Sequence, residues 1–222
     1  MKKILVIYPH DPTTSFLIEP FQYLQRKLKS VTFYEIQPND DSNNECIELI
    51  KKFETIIFMG HGSFQKLSGS KNESYNRDCL ISYNEIQKLD SKNWILFSCN
   101  STDLLKKCSN TIQYGIGFGD LPTDFNDIQG IREFDANAYK NINDEIIERF
   151  KESINWIISN TISELLEKNL NGLDLYHYMR ILISRRMLDI LKDPRNTNQK
   201  EHAKLLFEMK QEMLITGIKQ NI

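Results

Sequence analysis

Residues 53–63 read FETIIFMGHGS, a short apolar run that stops at Gly60-His61-Gly62. Its centre, TIIFM (55–59), is dense in β-branched and aromatic residues and lacks polar alternation, the pattern of a strand buried on both faces. It has counterparts on either side: KILVIY (3–8) and VTFYEI (31–36) before it, NWILFS (93–98) and TIQYGIGF (111–118) after it. Between them lie stretches with helical spacing. Leu17, Phe21, Leu24 and Leu28 form one apolar stripe, and Cys46, Leu49, Ile50 and Phe53 mark a shorter one. Strand, helix, strand in succession requires parallel crossovers, so the expected class is α/β, a mostly parallel sheet sandwiched between helices.

The pattern changes after Asp120. GDLPTDFNDIQG (119–130) reads as an acidic, turn-rich loop, and everything from Asn141 on reads as helix. Ile142, Ile146, Phe150, Ile154 and Ile157 form a stripe, and Asn171-Gly172 is expected to cap that helix at its C-terminus. A second helix over 173–192 stops at Asp193-Pro194. A last one covers 198–218 with Leu206, Met209 and Met213 on one face. SFQKLSGSKNESYNRD (63–78) is polar enough to be a long mobile surface loop. The expected organisation is a single domain over 1–222, with a sheet core in 1–140 and a helical part in 141–222 packed on it.

Composition narrows the function. Of 222 residues, 40% are hydrophobic and 26% charged, which fits a globular protein with a real core, and the formal net charge of −2 offers no overall grip on nucleic acid or an anionic membrane. Cys46, Cys79, Cys99 and Cys108 lie at irregular spacings without a C-x-x-C pair, so a reducing compartment is the default. The opening MKKILVIYPHDP has too short an apolar part for a signal peptide, and no segment approaches membrane-spanning length. A cytoplasmic location is expected.

Functional groups of open parallel sheets collect beyond the carboxyl ends of the strands. Four loops share that edge: YPHDPTT (8–14), GHGS (60–63), SCNS (98–101) and GFGDLPTDF (117–125). Two of them set a histidine and a cysteine just past buried strands, and neighbouring strands lie about 4.8 Å apart. A thiol needs a base to become a good nucleophile, and an imidazole can take its proton and later pass it to a leaving amine. His61 is the candidate base and Cys99 the candidate nucleophile. Glycines around His61 permit unusual dihedrals and close approach of a substrate backbone. The Gly62 and Cys99 amides can then converge on an oxyanion, at roughly 3 kcal/mol per donor. The helix beginning near Ser101 favours a thiolate at Cys99. This chemistry needs no metal or organic cofactor.

Other readings carry less. A zinc site from His10, His61, Cys79 and Cys99 lacks a local two-ligand motif. A flavodoxin-like nucleotide site lacks a glycine-rich cradle in YPHDPTT.

IIFMGHGS, then LISYNEIQKLDSKNWILFSCNS, then TIQYGIGFGD resembles the caspase-like cysteine peptidases, most closely the CHAT branch, over about residues 1–160. The resemblance implies a caspase-like fold, with His61 and Cys99 matching the general base and nucleophile. It also implies a protein substrate and a regulatory protein partner, with no direct role for nucleic acid or membrane. Small bacterial members serve stress or anti-phage defence, and loops 63–80 and 119–140 would suit control by a partner. FSCNS differs from the Q-A-C-x-G of caspases, so aspartate-directed cleavage is not implied, and the tryptophan common after the CHAT strand following the cysteine is absent. Asp120 and Asp124 stand where the family builds part of its first specificity pocket and would favour Lys or Arg in a substrate. Asp11 is a further candidate for that job. The alternative is a non-catalytic caspase-like interaction module, recruiting a partner through the final helix with Met209 and Met213.

Overall fold

The apolar runs become strands of one sheet in the computed structural model, which describes residues 3–134, 139–194 and 198–218. They are β1 (Ile4–Pro9), β2 (Thr32–Ile36) and β3 (Thr55–Met59), then β6 (Asn93–Phe97), β7 (Tyr114–Gly117) and β8 (Leu214–Thr216), with a small separate hairpin of β4 (Lys66–Leu67) and β5 (Ile81–Ser82) in between. The sheet order is β2-β1-β3-β6-β7-β8; every pair is parallel except β7–β8. In chain order the five parallel strands run second, first, third, fourth, fifth, as in flavodoxin-like sheets, so the order reverses between β1 and β3.

Helices cover both faces. They are α1 (Ile18–Lys27), α2 (Asp40–Lys52), α3 (Tyr83–Gln87), α4 (Ser101–Cys108), α5 (Phe125–Phe134), α6 (Asp144–Glu167), α7 (Gly172–Lys192) and α8 (Gln199–Glu212). Alternation along the strands sorts the core into two clusters. Val6, Ile57, Ile95 and Ile116 pack with residues of α1, α6, α7 and α8, whereas Leu5, Ile56, Trp94 and Leu96 pack with residues of α2, α3 and α4.

Several local expectations change. Asn171 starts α7 instead of ending α6: its side chain accepts from the Asp174 N–H at 2.9 Å, and a Cβ on Gly172 would lie 2.6 Å from the Tyr114 ring. The left-handed residue beyond α6 is Asn169 (φ 48°). The last helix stops at Glu212, because Leu214–Thr216 turns extended and pairs antiparallel with β7, burying Ile215. The helical part past residue 141 therefore also supplies an edge strand of the sheet. Met209 and Met213 are 1% and 3% exposed, so the partner surface expected on them lies in the core.

The polar stretch 63–78 is tied down by buried hydrogen bonds. Ser70, fully buried, accepts from Asn43 Nδ2 (2.7 Å), donates to the Gln37 carbonyl (2.8 Å) and gives its N–H to Asn43 Oδ1 (3.2 Å). The Lys71 N–H reaches the His10 carbonyl at 2.7 Å, fastening this loop to the end of β1. Part of the expected loop 119–130 is helical, as α5. Among the described residues no helix is long and apolar enough to cross a membrane.

Candidate active site

The β3–β6 pairing governs the site. Met59 stands opposite Phe97, and the Gly60 N–H donates to the Phe97 carbonyl at 3.2 Å. His61 and Cys99 each come two residues past this last pair, so both leave the sheet at the same edge from adjacent strands. Cys99 is half-buried and packs against the cluster that holds Met59 and Phe97.

Gly62 explains one of the flanking glycines. A Cβ there would stand 2.7 Å from Ser98 Oγ and 3.0 Å from Ser98 Cβ. Among described glycines only Gly217 has positive φ, so Gly60 and Gly62 do not serve by adopting left-handed dihedrals, contrary to the expectation for them. Gly62 serves by proximity. It also bridges Leu67 in a pair flanked by Ser68 N–H to His61 carbonyl (3.0 Å) and Ser63 N–H to Lys66 carbonyl (2.9 Å). In such a pair the Gly62 N–H turns away from Leu67 and is not consumed by the ladder.

The cysteine sits on a sharp strand-to-helix turn. Asn100 takes the left-handed conformation (φ 53°), which asparagine tolerates better than most residues, and α4 follows at once. Asn100 N–H bonds the Gly119 carbonyl (2.7 Å) and Thr102 N–H the Phe118 carbonyl (3.0 Å). Ser101, fully buried, donates to the Ser98 carbonyl (2.8 Å) and accepts from the Phe118 N–H (2.9 Å). The thiol of Cys99 lies 3.4 Å from the Leu121 carbonyl, within reach of S–H donation.

On the other side of His61 is the loop after β1, at the point where the strand order reverses. Asp11 caps a short 3₁₀ helix (Pro12–Leu17); its Oδ1 accepts from the Thr13 N–H (2.9 Å) and the Thr13 hydroxyl (2.6 Å). The Thr13 oxygen is 2.6 Å from His61 Nε2, which lies 3.9 Å from Asp11 Oδ2. Asp11 is only 6% exposed. It therefore does not present a free carboxylate to a substrate side chain as expected; its neighbours are Thr13 and His61.

The loop after β7 places the remaining candidates apart. Asp120 gives its N–H to Glu212 Oε2 at the end of α8 (2.8 Å), and a Cβ on Gly119 would overlap that carboxylate. Burial, reinforced by the charges of Glu208, Asp120 and Glu212, holds the nearby Tyr139 phenol above its ordinary range. Asp124 lines a cleft of about 500 Å³ with Pro12, Thr13, Phe16 and Glu148, so it borders the residue that touches His61. Lys151 shares the cleft and pairs with Glu148 at 2.7 Å.

The other cysteines sit in settings that suppress thiolates. Burial pushes Cys46 up to about 12 and Cys108 up to about 11, and also raises Cys79. His10 lies 3.9 Å from Glu35, and among the described residues no group of three or more histidine, cysteine or acidic side chains is arranged to hold a metal ion.

No known protein-family model matches the chain, and no curated protein matches it either.

Two contributors escaped the sequence reading, Thr13 and Ser101. The first had a usable signal: Asp-Pro-Thr at the end of a strand is an N-cap followed by proline at the first helical position, which predicts a helical turn there. The second had a weaker one, a small hydroxyl residue at a strand-to-helix junction.

Proposed function

We propose that this chain is a caspase-like cysteine endopeptidase acting through His61 and Cys99. The observation that carries the reading is the β3–β6 register, which sends the histidine and the cysteine off adjacent parallel strands at the same edge of the sheet. In the reaction, the Cys99 proton passes to His61, and the thiolate attacks a peptide carbonyl. The oxyanion of the tetrahedral intermediate accepts from the Gly62 and Cys99 N–H groups. The imidazolium then protonates the departing amine as the C–N bond breaks, leaving a thioester on Cys99. Water, deprotonated by His61, hydrolyses the thioester and regenerates the thiol. For the first step the thiol must turn from the Leu121 carbonyl to the imidazole.

Asp124, in the cleft beside Thr13, and Asp120 favour a basic residue at the cleavage site. The substrate is a protein, the activity is gated by a protein partner in the cytoplasm, and the setting is stress or anti-phage defence; these parts follow from the resemblance of the sequence motifs. The alternative, a non-catalytic interaction module, has lost the surface on Met209 and Met213 that it relied on.

The test is covalent labelling of the whole chain with a lysyl or arginyl chloromethyl ketone, read by peptide mapping. Labelling at Cys99 that disappears in Cys99→Ala and falls in His61→Ala is expected, together with cleavage in a peptide library. Labelling spread over Cys79 and Cys99 alike, indifferent to His61, would overturn the reading.

A further inference from the structure

We infer that Asp11 and Thr13 form a positioning pair that holds His61 with its proton on Nε2, leaving Nδ1 as the basic nitrogen. The assignment follows from counting protons. Thr13 Oγ1 makes two contacts of 2.6 Å, to Asp11 Oδ1 and to His61 Nε2, and it has one proton to give. An ionised carboxylate only accepts, so the hydroxyl proton points at Asp11. The oxygen is then an acceptor toward the ring, and Nε2 must carry hydrogen. The opposite tautomer would set two acceptors 2.6 Å apart with nothing between them.

The pair is built to hold its place. Asp11 lies two residues past the end of β1 and is 6% exposed, Pro12 opens the 3₁₀ helix, and the Thr13 N–H adds a second bond to the same Oδ1. The two residues share one short turn, so the hydroxyl's direction is set by backbone as well as side chain. When the ring takes a proton on Nδ1, the hydrogen on Nε2 stays bonded to Thr13, whose own proton stays donated to Asp11. A threonine thus links the carboxylate to the imidazole, doing what a direct acid–histidine bond does in hydrolytic triads.

The tautomer assignment rests on geometry alone, while its effect on chemistry rests on the peptidase reading; two readouts keep them apart. The first is long-range ¹H–¹⁵N correlation of the full chain labelled at histidine, at a pH where the ring is neutral. His61 is expected in the Nε2–H form in the wild type and in Thr13→Ser, and as a tautomer mixture in Thr13→Val. An Nδ1–H wild type overturns the inference without needing any variant to fold, and so does a Thr13→Val spectrum identical to wild type. The second is the rate of Cys99 modification by iodoacetamide, mapped by peptide. It is expected to fall about tenfold in Thr13→Val and His61→Ala, with Thr13→Ser near wild type. A tautomer that responds to Thr13 beside a Cys99 rate indifferent to His61→Ala supports the positioning pair and sinks the peptidase reading.

Discussion

Gly62→Ala tests whether this glycine is required by contact. The new methyl would stand 2.7 Å from Ser98 Oγ and 3.0 Å from Ser98 Cβ, and Ser98 is 2% exposed, so it has no open space to retreat into. Overpacking of this kind costs about 1–3 kcal/mol. Ser98 Oγ is itself buried without a hydrogen-bond partner among the described residues, so Ser98→Ala alone should be neutral or stabilising by up to about 1 kcal/mol. Combined, the two changes remove the 2.7 Å contact and leave the 3.0 Å one. The double variant should therefore regain about 1 kcal/mol more than the two single effects predict by addition. Urea unfolding followed by tryptophan fluorescence measures all four proteins, with an unchanged slope required for comparison. A Gly62→Ala cost under about 0.3 kcal/mol, or strict additivity with Ser98→Ala, would refute the reasoning. The same variant crowds the residue that follows His61, so Cys99 labelling should slow with it.

Three further outcomes follow from the geometry. Burial, together with the Arg149 and Arg186 charges, lowers His202 to about 4, from an ordinary value near 6.5; the neutral ring's stabilising contribution is whole above pH 6.5 and shrinks as pH falls toward 4, by roughly 3 kcal/mol at most. Urea midpoints between pH 7 and 4 should show that decline, and His202→Gln should flatten it. Asn43→Ala leaves Ser70 short of two bonds in a buried network and should cost about 2–3 kcal/mol, read by the same unfolding experiment, while exposing the 68–78 stretch to limited proteolysis. Glu212→Ala removes the acceptor of the Asp120 N–H, one residue before the Leu121 carbonyl that meets the thiol, so the rate of Cys99 modification should change severalfold while the fold persists.

Strands β1, β3, β6 and β7 were legible because burial on both faces writes itself as apolar runs, β2, a half-exposed edge strand, because of its β-branched and aromatic content, and α1, α2, α6 and α7 because one buried face repeats every third or fourth residue. β8 was not: Leu214–Thr216 is three residues long, follows a helix without a glycine or proline to mark the change, and owes its extended conformation to tertiary pairing with β7. Asn171-Gly172 misled because asparagine serves at either end of a helix, and the choice was made by the Tyr114 ring against Gly172. The 63–78 stretch misled because its polar side chains bond one another and α2 instead of water. At the site, the strand ends carrying His61 and Cys99 were readable from position. Asp11 was misplaced because a buried capping carboxylate and an exposed binding one look alike in a sequence.

Residues 212–216 reach the loop beside Cys99 in two ways. Glu212 clasps the Asp120 amide, and directly beyond it Leu214–Thr216 is sewn onto β7, the strand whose outgoing loop meets the thiol. Cutting the chain before Leu214 would strip the sheet of its border, bare the hydrogen-bonding row of β7 to other molecules, and slacken that loop in one stroke. A binding protein that peeled this segment away would have the same leverage on Cys99 from a distance.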